Sequence, residues 1–208
     1  MKTKKFTTSQ LTILGLMAGI LFLMAYTPLG YLNIGPLAVT FNVIPVAVCA
    51  IVLGPTGGAI AGAVFGLTSF MQAIGIGGVS ALGSALFQIN PFMTAVQCFG
   101  PRILDGICIG FIYRAVHKKA NTYVSCAVTG FFSAFLNTLF FMTALIVMFG
   151  NTELIRNLMG GHNIIVGCCL MVGVNAISEM VSSTIITAAV GTALSKAHLI
   201  PAVQIVKT

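Results

Sequence analysis

From Phe6 to Pro101 this chain contains no Asp, Glu, Lys or Arg. Charged side chains make up 6% of its 208 residues and hydrophobic ones 58%, and the mean hydropathy is +1.06. A soluble domain carries roughly 25% charged residues. So few charges cannot cover a water-facing surface, so most of the surface must face lipid. A spanning helix needs about 20 apolar residues, so the chain holds about six spans with short loops. No segment is long and polar enough for a separate soluble domain, and residues 1–208 are expected to form one integral membrane domain, an all-α bundle. The basic start at residues 1–5 could head a signal peptide. The apolar run over 11–26 lacks a small-x-small cleavage site and more spans follow, so it is assigned as the first span.

The spans are predicted at residues 8–26, 38–53, 58–76, 92–116, 122–149 and 163–194. Between them lie a charge-free Pro/Gly-rich segment (27–37), a tight turn at Gly54-Pro55-Thr56-Gly57, an uncharged loop (77–91) and the basic His117-Lys118-Lys119. A short polar segment (150–162) follows the fifth span, with Asn151 or Thr152 as its helix cap and Gly160-Gly161 as its stop. With six spans, Lys2, Lys4, Lys5, Arg114, Lys118, Lys119, Lys196 and Lys207 share one side, and only Arg156 lies in a loop on the other. The positive-inside rule puts that side, with both termini, in the cytoplasm.

The net charge of +7 does not indicate nucleic acid, because the basic residues sit at helix ends and form no stripe. Cys49, Cys98, Cys108, Cys126, Cys168 and Cys169 fall in or at the ends of apolar runs without a CxxC pair, and behave as small buried hydrophobes. His117, His162 and His198 lie at helix ends or in loops, so no buried nucleophile has a base. Asp105, Glu153 and Glu179 are too few and scattered for a metal-dependent phosphotransferase. No GxxxxGK[ST] loop is present. No enzymatic chemistry, metal or cofactor is therefore expected.

Polar groups inside hydrocarbon face the bundle interior or a cavity. The sixth span carries Asn175, Ser178, Glu179 and Ser182 on one face, and the fifth Thr129, Ser133 and Asn137. Thr68, Ser69 and Gln72 cluster toward the outer end of the third, and Asn42 precedes Pro45 in the second. Arg102 follows Pro101 in the fourth, with Asp105 one turn on. A centrally placed Arg costs about 2.5–3.5 kcal/mol to insert and needs a partner. Asp105 and Glu179 can form a buried charge network with it; alternatively its fork binds an anionic group of a small solute. Small residues repeat at Gly58, Gly62 and Gly66, and at Gly15 and Gly19. The former set suits packing within the bundle, the latter either such packing or docking onto another membrane protein.

The run from Leu53 to Phe70 (LGPTGGAIAGAVFGLTSF) resembles the second-to-third helix segment of the substrate-binding S components of energy-coupling factor (ECF) vitamin transporters. Pro101-Arg102-Ile103-Leu104 after Asn90-Pro91 resembles their fourth helix, Asn137-Thr138 their fifth, and Asn175 with Glu179 their sixth. Thr27-Pro28-Leu29-Gly30, Ile44-Pro45 and Pro101-Arg102-Ile103-Leu104 are most similar to the pantothenate-type S components, from which Asp105 departs. The resemblance implies a six-helix subunit in the bacterial plasma membrane that captures a vitamin or precursor, most simply pantothenate. It also implies a membrane coupling subunit and two cytoplasmic ATPases as partners. Gly15, Ala18 and Gly19 take the places of the family's docking motif, and Asn42, Gln72, Arg102, Asn137, Asn175 and Glu179 are expected to line the solute cavity. A non-transporting structural or regulatory membrane subunit and a stand-alone secondary carrier are the competing classes.

Overall fold

The segment Val43–Leu53 (VIPVAVCAIVL) has no polar face to turn toward water, and every one of its residues is buried. A helix apolar all round belongs at the centre of its surroundings, and five other helices pack about this one. The computed structural model describes residues 7–27, 31–33, 38–77, 80–158 and 164–200. Its elements run α1 (Thr8–Ala25), β1 (Tyr31–Asn33), β2 (Ala38–Thr40), α2 (Val43–Leu53), α3 (Pro55–Ala73), α4 (Ala81–Ile89), α5 (Pro91–His117), α6 (Thr122–Phe149), α7 (Glu153–Leu158) and α8 (Ile164–Lys196). Around α2 pack α1, α3, α5, α6 and α8.

Local chemistry sets the helix ends. Thr7 opens α1 with a capping box, its N–H donating to Gln10 Oε1 at 3.0 Å and its hydroxyl accepting from the Gln10 N–H at 3.4 Å. Asn90 caps α5 by accepting from the Met93 N–H at 3.1 Å, with Pro91 at a first-turn position that needs no N–H. Asn121 caps α6 in the same way, from the Val124 N–H at 2.9 Å. Gly54, at φ +74°, breaks α2 from α3. The Arg114 side chain lies so close against it that a Cβ there would overlap the guanidinium.

Glycine on α3 meets backbone on α5. A Cβ at Gly58 would overlap the Gly106 carbonyl, and one at Gly62 the Arg102 carbonyl; at Gly66 it would stand 2.9 Å from the Cys98 carbonyl oxygen. Gly106 returns the contact to Gly58. The α3 glycine repeat is thus used inside the bundle. Gly130 likewise lets α6 approach Ser183 and Thr187 of α8. Gly15 and Gly19 of α1 have nothing within 4 Å of the space a Cβ would fill.

Among the described residues, four helical stretches are long and apolar enough to cross a membrane: Thr8–Tyr26, Pro91–His117, Thr122–Phe149 and Asn175–Lys196. The predicted second span is corrected in its extent. Residues 38–40 form β2, antiparallel to β1 with Tyr31 opposite Thr40, so the helix begins only at Val43. One segment read as a loop contains helix, and the short helix expected after the fifth span starts at its predicted cap. Within 77–91, Ser80 accepts from the Gly83 N–H at 3.1 Å and starts α4. Within 150–162, Thr152 Oγ1 accepts from the Ile155 N–H at 3.5 Å and starts α7. Among the cysteines, Cys49, Cys98 and Cys126 are free and buried, and Cys108 is free and half-buried. The side chains of Cys168 and Cys169, the Gly160-Gly161 stop, His162, segments 28–30 and 34–37, and Lys2, Lys4, Lys5 and Lys207 lie outside the described residues.

Candidate functional site

Pro101 sits inside α5. Having no N–H, it leaves the carbonyl four residues earlier, that of Gln97, without its helical donor. Arg102 supplies one: its Nη1 donates to the Gln97 and Cys98 carbonyls, each at 3.1 Å. The side chain therefore runs back toward the start of α5. Its Cζ lies 4.8 Å from the centroid of the Phe65 ring and 5.3 Å from that of Phe141. Such contacts are worth about 0.5–2 kcal/mol each, more as water is excluded. Phe65 is 2% exposed and belongs to the apolar core with Val43, Ile44, Ala47 and Ile109. The cation thus stands on an aromatic floor continuous with the bundle core.

The expected pairing of Arg102 with Asp105 is not formed. Asp105 lies three residues further along α5, in the opposite direction from the turn to which Arg102 reaches back. It is 2% exposed, its Oδ1 has no hydrogen-bond partner, and Ser133 of α6 is the hydroxyl within its reach. The Ser133 hydroxyl also donates to the Val43 carbonyl at 3.3 Å, tying α6 to α2. Arg102 Nε is buried with no hydrogen-bond partner.

Glu179 of α8 is buried and takes the Thr40 N–H on its Oε1 at 2.6 Å. Arg102 is the positive charge that acts on it. Thr40 is in turn held by its own Oγ1, which accepts from the Asn42 N–H at 3.3 Å. The hairpin end is thereby pinned between α2 and α8. Asn42 is fully buried, and neither Oδ1 nor Nδ2 has a hydrogen-bond partner. Asn137 (7% exposed) lies one turn from Ser133 and one from Phe141 on α6, and Asn175 (5% exposed) one turn before Glu179 on α8.

Of the six residues expected to line a cavity, five are buried, and Arg102 and Glu179 act on one another. Gln72 is buried too, but its Nε2 donates to the Ala25 carbonyl at 2.6 Å and so caps the last turn of α1. The predicted polar face of the sixth span is corrected. Ser178 is exposed, and Ser182 turns its hydroxyl back onto the Ser178 and Glu179 carbonyls at 2.6 and 3.2 Å. The buried face is instead Asn175, Glu179, Ser183 and Thr187. A serine that satisfies its hydroxyl on its own helix can face lipid. Sequence reasoning passed over Thr40, Phe65, Phe141 and Gln97. Gln97 could have been found from Pro101, whose missing N–H marks the turn containing residue 97 as open to other donors.

A helical bundle with spans apolar enough to cross a membrane, a carboxylate and amides buried inside it and a guanidinium acting on that carboxylate has the character of a membrane protein that handles a small polar solute. The comparisons with known proteins make this specific. The model of the ECF transporter, substrate-specific component family matches residues 9–191, and the chain belongs to that family. It is 33% identical to the pantothenate transporter PanT of Leuconostoc mesenteroides, over 82% of this chain and 81% of that one. It is 28% identical to the pantothenic acid transporter PanT of Lactococcus lactis, over 94% of this chain and 98% of that one.

Proposed function

We propose that this chain captures pantothenate at the outer face of the bacterial plasma membrane, for import by an ATP-driven ECF complex. The observation that carries the proposal is the half-buried Arg102, its guanidinium against the Phe65 and Phe141 rings and its Nε buried without a hydrogen-bond partner. Pantothenate ends in a carboxylate, and a partly desolvated guanidinium is its natural partner. The two relatives that bear pantothenate in their names support the choice of solute. Asn42, Asn137, Asn175 and Glu179 join Arg102 in lining the site, with Gln72 at its outer rim. Six spans (α1, β2 continuing into α2, α3, α5, α6 and α8) cross the membrane, with both termini cytoplasmic, in keeping with the basic residues at Arg114, Lys118, Lys119 and Lys196. A membrane coupling subunit docks on Gly15, Ala18 and Gly19 of α1, where open space at both glycines supports the assignment. Two cytoplasmic ATPases supply the hydrolysis, and this chain performs none.

Calorimetric titration of the purified chain with pantothenate tests the reading directly. Saturable binding is expected. Arg102→Ala should weaken it by about tenfold or more, since hydrogen bonds to charged groups contribute about 1.5–3 kcal/mol. Arg102→Lys should recover little, because an ammonium cannot present two parallel N–H groups. A folded wild-type sample that binds no pantothenate would sink the substrate assignment.

A further inference from the structure

Gln97 is 1% exposed and lies one turn before Pro101 on α5. Its Nε2 donates to the Phe141 carbonyl at 2.9 Å. That bond fixes the amide orientation, because the flipped group would set two oxygens against each other. Its Oε1 is left buried with no hydrogen-bond partner. Arg102 engages the same two residues through other groups, its Nη1 donating to the Gln97 main-chain carbonyl and its guanidinium lying over the Phe141 ring. The two side chains are therefore neighbours held on one frame. Once the frame is made, an acceptor (Gln97 Oε1) and a donor (Arg102 Nε) remain buried without protein partners. Unmet polar groups in a buried setting are costly, and a ligand that satisfies both removes that cost.

We infer that Gln97 determines specificity: its Oε1 accepts a hydrogen bond from the amide N–H of an N-acyl β-amino acid whose carboxylate is held by the Nε edge of Arg102. The inference rests on the proposed substrate. In pantothenate the amide N–H stands two carbons from the carboxylate, whereas both hydroxyls lie beyond the amide carbonyl. The N–H is therefore the donor that reaches Gln97 while the carboxylate occupies Arg102. The site would reject acids that lack a donor at that spacing, because they leave the Gln97 oxygen unpaired.

The test compares two ligands and two proteins by calorimetry: pantothenate and its ester isostere, with oxygen in place of the amide N–H, against wild type and Gln97→Met. Wild type is expected to bind the ester about tenfold more weakly than pantothenate. Gln97→Met should lose about tenfold for pantothenate and no longer distinguish the two ligands, so the effects of removing either partner do not add. Equal wild-type affinities for amide and ester overturn the inference and leave the substrate assignment standing, and this ligand pair decides even if Gln97→Met does not fold. A folded Gln97→Met that still discriminates overturns it equally. Absence of pantothenate binding to folded wild type removes the substrate assignment and this inference together.

Discussion

Arg102 and Pro101 act as a pair. A lone arginine in an apolar helix would send its guanidinium wherever a counter-charge or water could be found. Here the proline next to it strips a donor from the Gln97 carbonyl, and the arginine fills the gap with Nη1. One edge of the guanidinium is thereby fixed to the backbone and another is left for chemistry. Pro101→Ala returns an N–H to that carbonyl and releases Nη1 from it. The variant is expected to keep or raise the thermal midpoint, since an interior proline costs a helix about 3 kcal/mol, while pantothenate affinity falls severalfold. Paired melting curves and titrations would show the opposite trends. Arg102 was legible in the sequence because a charge in oil cannot be incidental. Gln97 was passed over, although the N–H that Pro101 lacks points to its turn of the helix. Gln72 illustrates a further limit, because a polar side chain near a helix end serves a neighbouring helix's carbonyls as readily as a solute.

Helices here are joined by what their side chains leave out. Between α3 and α5, glycines admit the facing backbone at Gly58, Gly62, Gly66 and Gly106, and lipid-embedded helices depend on such close packing because apolar burial does not drive them together. Gly58→Ala gains helix propensity but forces α3 away from the Gly106 carbonyl, and is expected to lower the thermal midpoint, overpacking costing typically about 1–3 kcal/mol. Gly15→Ala meets no neighbour, so the isolated chain should melt at the same temperature or slightly higher. If both variants melted alike, the distinction between a filled and an open glycine face would be wrong. The GxxxGxxxG spacing foretold the internal seam. The short helix α4 escaped notice because a capping serine followed by two turns looks like a polar loop, whereas Thr152 was legible as the cap of α7. The hairpin escaped notice because three residues per strand are too few to establish an alternating pattern.

As a whole the described helices α1, α3, α5, α6 and α8 pack in succession about a buried axis, with a polar hairpin end tied across to α8 through Glu179. The scarcity of charge made its residence in a membrane plain from the sequence alone, and the long spans of α1, α5 and α6 were drawn almost to their ends. Single-cysteine labelling on a cysteine-free background checks the topology. With an impermeant maleimide, Arg156→Cys is expected to react from outside intact cells and Lys118→Cys only in inverted vesicles. Labelling of both from the same face would rule out the six-span arrangement.

The axis itself is short. At 1.5 Å per residue, the helix Val43–Leu53 rises roughly 16 Å, about half of a hydrocarbon layer some 30 Å thick. Its longer neighbours continue past its upper end, so the bundle loses its central filler part-way through the bilayer. Asn42 marks the stopping point. Beyond it the chain runs back into the strand that ends at Thr40, whose N–H is held by Glu179 of α8. A bundle can bring polar groups to its axis without a distorted or broken wall if the middle post is simply cut low.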